Sequence, residues 1–446
     1  MKRLLILAPA FPPHPSPATH RARFLARYAA DEGWAVEVLS VRAELYAEPP
    51  DHELAQLVPE STRVTRVGAL PLWLTRRLGV GDLGLRSYLP LRRALRRICR
   101  HDAPDLIFIP GGPFYPFLLG AEMRRDFGVP YVLDFTDPWA FPPMPGQERP
   151  WKKGYWASRI ASALEPIAVR SAAHVLAVSE GTNDAIRARH PEIPPDRFSA
   201  VPFGFEAADF DALRRRARPN PYWTRDGNLH LAYVGAMLPH GYETLRAVLR
   251  AVVELRRNEP ELGRRLRLHF FGTTYDPNAT RGLVEPVAAE MGLAEVVTEH
   301  PRRIPYVEAL NVLTSADGIL ALGSTDHHYT ASKIFPCILA RRPLLAVYHA
   351  ASTVGDVVRE ARAGELVTYD DDARAESKVS EIGAALRRML SPGGYDAAVV
   401  RTDALDAYSA RAMTARILRT FDAVVAEARP ASTSRAATSA VAVGHV

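Results

Sequence analysis

The chain has 446 residues, 47% apolar and 24% charged, with a formal net charge of +6. That length supports two domains with buried cores, and that balance excludes a disordered chain. Two cysteines, Cys99 and Cys337, exclude a disulfide framework and a thiolate metal site.

The opening "MKRLLILAPAFPP" starts like a signal peptide, but Pro9, Pro12 and Pro13 interrupt it and no small-residue cleavage site follows. It reads as a first strand, Arg3–Ala8, of a cytoplasmic protein. The longest apolar runs are far too short to span a bilayer, and no basic segment is interleaved with aromatics as nucleic-acid binding would require. Further strands are expected at Ala35–Val41, Asp105–Ile109, Tyr131–Phe135, His174–Val178 and Phe198–Val201. Helical patterns alternate with them, which predicts βαβ units and a parallel sheet. After a break at Pro202 and Gly204, a second run is expected at Leu229–Gly235, Leu266–Gly272, Val296–Glu299, Gly318–Leu322, Leu344–Val347 and Glu365–Tyr369. Two runs of about six strands each predict two Rossmann-like domains.

In such sheets ligands lie beyond the carboxyl ends of the strands. The loop after the first strand, "APAFPPHPSPATHRARF", is held extended by prolines and leads into a helix carrying His20, Arg21 and Arg23. It is either a substrate loop or a stiff connector with solvated arginines. In "PGGPFYP", Gly111 and Gly112 allow close backbone approach, and Phe114 and Tyr115 suit stacking on a sugar or an apolar acceptor. An ordinary Gly-Pro turn has the same composition. "YVLDFTDPW" ends a strand with Asp134 and Asp137, carboxylates able to accept from sugar hydroxyls or take a proton. Asp137 also reads as a turn cap, and Ser179 and Thr182 in "AVSEGT" as helix caps.

In the second run, Gly235 and Ala236 of "YVGAMLPHGY" would admit a phosphate, with His240 before the next helix. "FFGTTY" repeats the strand-glycine pattern at Gly272, Thr273 and Thr274. Neither contains the G-x-G-x-x-G of a dinucleotide site. Asp326, His327 and His328 tempt a metal assignment, but adjacent histidines diverge and no second cluster complements them, so no metal is expected. "TASKIF" opens a short helix with Ser332 and Lys333, followed by Ile334. Free N–H groups and an ammonium at one point suit a phosphate. Lys333 stands out as one of five lysines among 56 cations. The final pattern, "YSARAMTARILRTFDAVVAEA", is amphipathic, with Met413, Ile417, Leu418, Phe421 and Val424 on one face in need of a surface. The tail from Ala428 is small and polar, and disorder is expected there.

In their order and spacing, the proline-rich first loop, "LDFTDPW", "AVSEGT", "VPFGFEAADF", "YVGAM" and "SKIFPCILARRPLLAV" resemble GT-B glycosyltransferases of family 4. These are retaining enzymes that use nucleotide-sugar donors. The resemblance implies an α/β GT-B fold, two Rossmann-like domains facing a cleft, with the C-terminal helix crossing back to the first. Residues 1–203 with 405–427 would bind the acceptor, residues 204–404 the nucleoside diphosphate sugar, and 428–446 would be a tail. Donor contacts would come from Gly235, Ala236, His240, Gly272, Thr273, Ser332, Lys333 and Ile334. Acceptor contacts would come from His20, Arg21, Gly112, Phe114, Tyr115, Asp134 and Asp137. Asp137 and Lys333 would be catalytic, with neither metal nor cofactor. The two glutamates of the family's E-x7-E pattern fall at about His328 and Pro336, and two of its usual cations near Ala236 and His240, so Lys333 would carry more of the leaving charge. A catalytically silent GT-B binding protein and a nucleotide-sugar epimerase are the alternatives. The acceptor would be a sugar, a lipid-linked glycan or a small molecule. "LWLTRRLG" and "YLPLRRALRRICR" leave peripheral membrane contact open. In the second, Leu91, Leu95, Ile98 and Cys99 share one face and read as a core helix.

Overall fold

The computed structural model describes residues 1–77, 79–143, 146–215, 218–237, 239–276, 278–325 and 332–428. Asp326, His327 and His328 lie outside the described residues, as does the expected tail from 429 onward. Among the described residues, strands β1 (Lys2–Leu7), β2 (Trp34–Val41), β3 (Arg63–Val67), β4 (Leu106–Pro110), β5 (Tyr131–Phe135), β6 (His174–Ala177) and β7 (Phe198–Ala200) form one sheet. Its order is β3-β2-β1-β4-β5-β6-β7. A second sheet contains β8 (Leu229–Val234), β9 (Leu266–Phe271), β10 (Val297–His300), β11 (Gly318–Leu322), β12 (Leu344–His349) and β13 (Glu365–Tyr369), ordered β10-β9-β8-β11-β12-β13. Pairing is parallel throughout both, so the α/β expectation of two Rossmann-like halves holds. Strand β3, "RVTRV", was not among the expected strands. It pairs only with β2, and its two arginines are those of an exposed edge.

Both faces of the first sheet are buried. Leu5, Leu7, Ile107, Ile109, Leu133 and Phe135 point into one core, and Leu4, Ile6, Leu106, Phe108 and Val132 into another. The period-2 alternation is real, but it divides apolar from apolar, so the strands read as continuous hydrophobic runs. Helices Leu83–His101, Phe117–Phe127 and Lys153–Arg170 cover the first face. The opposite face is covered by helix Thr19–Tyr28 and by the last helix, Ala410–Ala428. Met413, Ile417, Leu418, Phe421, Val424 and Val425 join that core, with the Phe421 ring 5.3 Å from Phe108 and 6.0 Å from Trp34. Asp422 accepts from the Trp34 indole at 3.0 Å and from Lys2 Nζ at 2.5 Å. The surface that the amphipathic final helix needed is therefore the first sheet.

The chain crosses between the halves twice, and the crossings are tied together. Phe205 N donates to Tyr408 O at 3.1 Å, and Ala410 N donates to Phe205 O at 2.6 Å. Beside them Arg23, on the first helix, grips Asp209 through both guanidinium nitrogens at 3.0 and 2.6 Å. Asp209 also accepts from the Tyr306 hydroxyl at 2.9 Å, while Tyr306 N donates to Asp51 at 2.8 Å.

On β9, His269 stacks on Trp223 at 4.6 Å, and its Nε2 meets His230 Nδ1 at 2.9 Å. Burial, aided by His230 and His300, lowers its pKa from 6.5 to about 4; burial does the same to His174 on β6. A histidine held neutral by folding contributes stability that is full above its unfolded pKa and is lost as pH falls through the folded one. The melting temperature should therefore be flat above about pH 7 and fall between 6.5 and about 4. His269→Gln should flatten that fall, as thermal melts across the pH range will show. An unchanged acid slope would place the cause elsewhere.

Candidate active-site cleft

In each sheet the strand order reverses once, between β1 and β4 and between β8 and β11. Such switch points open crevices at the carboxyl ends of the strands. The segments that follow those ends meet in one cleft of about 650 Å³. The first half supplies Pro15, His20, Asp137 and Ser179, and the second Gly235, Gly272, Arg303 and Lys333. A second chamber of about 910 Å³ adjoins it, sharing Pro15, Tyr275, Arg303 and Ile304, and is lined further by Gly112 and Phe114.

Lys333 is fixed in the cleft by Tyr233. Its ammonium donates to the Tyr233 hydroxyl at 2.7 Å and sits 4.7 Å from that ring's centroid. The hydroxyl in turn donates to Ala236 O at 3.0 Å. Burial raises the Tyr233 pKa, so the phenol stays neutral beneath the cation. Gly235, with φ at +147°, is what admits this arrangement: a Cβ there would stand 3.0 Å from Lys333 Cδ and 3.2 Å from Nζ. Ser332 lies exposed beside it, whereas the Ile334 side chain is buried in the core and leaves its backbone for the cleft.

Across the cleft, Asp137 stands at the end of β5. Its surroundings desolvate the carboxyl and raise its pKa, an effect tempered by the Thr136 hydroxyl. His20 lines the same wall, its ring 4.5 Å from Tyr306 and its Nδ1 shut off without a partner. Burial, then the Arg23 charge, pushes its pKa well below the usual range, so the imidazole is neutral. Ser179 accepts from Thr182 N at 3.2 Å, which is the capping role its sequence suggested, although both also line the cleft.

Several expected contacts are corrected. Arg21 and Asp134 are fully buried below the cleft, paired at 2.9 Å, so neither is available to an acceptor. Arg21 also donates to Val201 O at 2.8 Å, tying β5 and the first helix to the end of β7. Thr273 is buried and its hydroxyl donates to the Glu299 carboxylate, which also caps the segment Leu283–Glu285. His240 sits on an exposed turn outside the cleft lining, its carbonyl accepting from Thr325 N. Tyr115 packs edge-on against Trp139 at 5.9 Å and lines neither chamber. Phe114 lines the second chamber while stacking on Trp139 at 6.0 Å. Arg303 and Tyr275 went unnoticed in the sequence. The guanidinium lies 4.8 Å from the Tyr275 ring, and the pair faces both chambers. The signal was available, since Arg303 closely follows the carboxyl end of a second-half strand.

Residues 18–204 match the family model of the glycosyl transferase 4-like domain. No curated protein matches the sequence. Among solved structures, the chain superposes on Anabaena Alr3699/HepE, determined with UDP and glucose, at a TM-score of 0.59 and 15% identity, covering 95% of this chain and 100% of that one. A UDP-forming trehalose-phosphate synthase from Burkholderia xenovorans gives 0.59 at 14%, with coverages of 95% and 99%. UDP-GlcNAc 2-epimerase from Neisseria meningitidis gives 0.50 at 13%, with coverages of 95% and 100%. The chain has the GT-B fold. Its first half matches the family model, and both halves carry the fold.

In this GT-B chain the Arg21–Asp134 pair is framework. Removing one partner of a buried pair strands the other charge, so Asp134→Ala should lose about 3–5 kcal/mol of unfolding free energy. The joint Arg21→Met/Asp134→Leu replacement should lose much less. Urea unfolding of the three proteins decides this, and a loss from Asp134→Ala under about 1 kcal/mol would show the pair to be dispensable.

Proposed function

We propose that the chain transfers a sugar from a nucleoside diphosphate sugar to an acceptor hydroxyl with retention of anomeric configuration, in the cytoplasm. Residues 204–404 hold the donor, and residues 1–203 with the returning helix hold the acceptor. The observation that supports it most is the Lys333 ammonium, held over Gly235 inside the cleft of a GT-B fold. Breaking the anomeric C–O bond sends its electron pair to the departing diphosphate while the acceptor oxygen bonds to the anomeric carbon. A fixed cation beside that developing charge is the principal catalytic device such a reaction needs. The acceptor proton passes to a donor phosphate oxygen, so no strong protein base is required. Gly235, Ala236 and Gly272 let the phosphates approach the backbone, with Ser332 and the Ile334 amide beside Lys333. Asp137 and His20, on the opposite wall, accept from and orient the acceptor hydroxyl. The structures of HepE with UDP and with UDP-glucose make uridine diphosphate sugars the first donors to test.

If Lys333 meets the diphosphate, Lys333→Ala removes a charge-assisted contact of about 1.5–3 kcal/mol, roughly 10- to 150-fold in affinity for the nucleoside diphosphate. Nucleoside affinity should stay the same, and Lys333→Arg should recover only part of the loss. Calorimetric titration with uridine and UDP checks this, and UDP affinities within about twofold of each other would end the assignment.

Asp137→Asn should slow transfer while leaving UDP affinity intact. Product analysis with UDP-sugars, with and without acceptors, separates transfer from epimer formation and from binding without turnover. An equal loss of UDP affinity would show Asp137 to be on the donor side.

A further inference from the structure

We propose that the N-terminal half docks on an anionic lipid bilayer through the surface made by helix Leu72–Arg77, the first turns of helix Leu83–His101 and the start of helix Lys153–Arg170. The reading of this chain as a transferase is not needed for it. Three tryptophans carry the argument: Trp73, Trp151 and Trp156 are 67%, 71% and 55% exposed. Half of the chain's six tryptophans thus stand in water, where a ring of that size has no reason to be unless something covers it. Leu70, Leu74, Leu85, Leu89, Phe141 and Ile160 are exposed with them. Single exposed apolar residues need no explanation, but these come from three segments that meet.

The meeting is visible at several contacts. Lys153 Nζ lies 3.6 Å from where a Cβ on Gly79 would stand, joining the loop between the first two helices to the start of the third. Trp156 Nε1 donates to Pro150 O at 2.7 Å, which ties the Phe141–Trp151 segment to the same helix. On helix Leu83–His101, Leu85, Leu89, Arg93 and Arg97 follow at four-residue spacing, all exposed, so one outer stripe starts apolar and turns basic. On Lys153–Arg170, Trp156, Ile160 and Ile167 form a second exposed stripe, with Arg159 beside it.

Charge selects the occupant. Arg76, Arg77, Arg149, Lys152, Lys153 and Arg159 surround the tryptophans, and the guanidinium groups of Arg77 and Arg149 lie over the Trp73 and Trp151 rings at 6.0 and 5.3 Å. On the acidic side, Asp82 is engaged in capping Leu85 N at 2.8 Å, which leaves Glu148. Tryptophan rings at headgroup depth, with arginines and lysines reaching the phosphates, form the chemistry of a protein lying on an anionic membrane. Among the described residues no helix is long and apolar enough to cross a membrane, so the contact is peripheral. The surface also borders the second chamber: Gly81, Asp82 and Leu83 line that chamber, and Leu85 and Leu89 follow on the same helix. An acceptor anchored in the bilayer would enter there.

The test is co-sedimentation of the full chain with large vesicles of phosphatidylcholine, alone or with about one third phosphatidylglycerol. Binding is expected only to the anionic vesicles, with a blue shift of tryptophan emission and weakening at high salt. Trp73→Ser/Trp151→Ser/Trp156→Ser should reduce it at least tenfold, and Arg76→Glu/Arg77→Glu/Arg159→Glu should do the same without touching an aromatic ring. Both variants should melt like the parent, since the altered side chains are exposed, and Arg264→Glu/Arg387→Glu on the other half should bind as the parent does. No binding to the anionic vesicles, or binding that the triple tryptophan variant retains, overturns the proposal. So does lipid-free self-association abolished by that variant, which would make the surface an interface between copies of the chain.

Discussion

A parallel sheet cannot leave a face to water, and the first sheet here shows what that requirement costs in chain. Helices between consecutive strands cover one face, but on the other, which carries Leu4, Ile6, Phe108 and Val132, helix Thr19–Tyr28 is joined by the last helix to complete the cover. That helix lies more than two hundred residues from the nearest strand of its sheet. The chain must therefore leave the first half, build the second and come back. Two crossings follow, and their pairing at Phe205, Ser409 and Ala410 makes them one joint. The joint keeps the loops at the carboxyl ends of both sheets opposed, so the need to bury one sheet face is also what creates the cleft.

Charge is sorted by depth around this joint. Beneath the cleft, Arg21 with Asp134 and Arg23 with Asp209 are buried at almost no exposure, and each arginine makes contacts beyond its carboxylate. Such pairs contribute little net stability, because desolvation offsets their attraction. Their value is geometric. Arg23, Asp209, Tyr306 and Asp51 place two residues from each half in one hydrogen-bonded chain, and His20 rests on Tyr306 where that chain reaches the cleft. Among the described residues, Lys333, Arg303 and Asp137 are charged side chains that line the cavity. Both cations lie over tyrosine rings, Arg303 over Tyr275 and Lys333 over Tyr233.

The fold was legible because the strand-helix alternation is written in long apolar runs and the final amphipathic face demanded a cover. Strand β3 was not, since an edge strand with Arg63 and Arg66 in five residues lacks any apolar run. Gly235 and Asp137 were legible from their place after strands and Lys333 as a rare lysine at a helix start, and the structure brings all three to one cleft. Arg21 and Asp134 misled for a physical reason. A charged residue at a strand's carboxyl end looks alike in sequence whether it meets a ligand or a buried partner. Asp134 lies within β5 and points into the fold; Asp137, three residues later, has left the strand. Arg303 was hidden in the opposite way, one arginine among 51.

The same cleft bears on how a donor would be held. Where the family pattern carries its second glutamate, this chain has Pro336, and Cys337, Val354 and Val357 line the wall near it. An apolar wall supplies area but few hydrogen bonds, and discrimination by area alone is weak compared with recognition through paired polar groups. If the proposed donor binds here, its binding energy at this end of the cleft would come chiefly from the phosphates, through Lys333 and backbone that glycine leaves open, with the ribose and base contributing less. A donor held chiefly by its diphosphate is held at the bond that breaks. On the proposed reading, the cation that anchors it in the ground state would gain further as charge moves onto the leaving oxygen, so with Pro336 in place of a carboxylate the same ammonium would serve both catalysis and recognition.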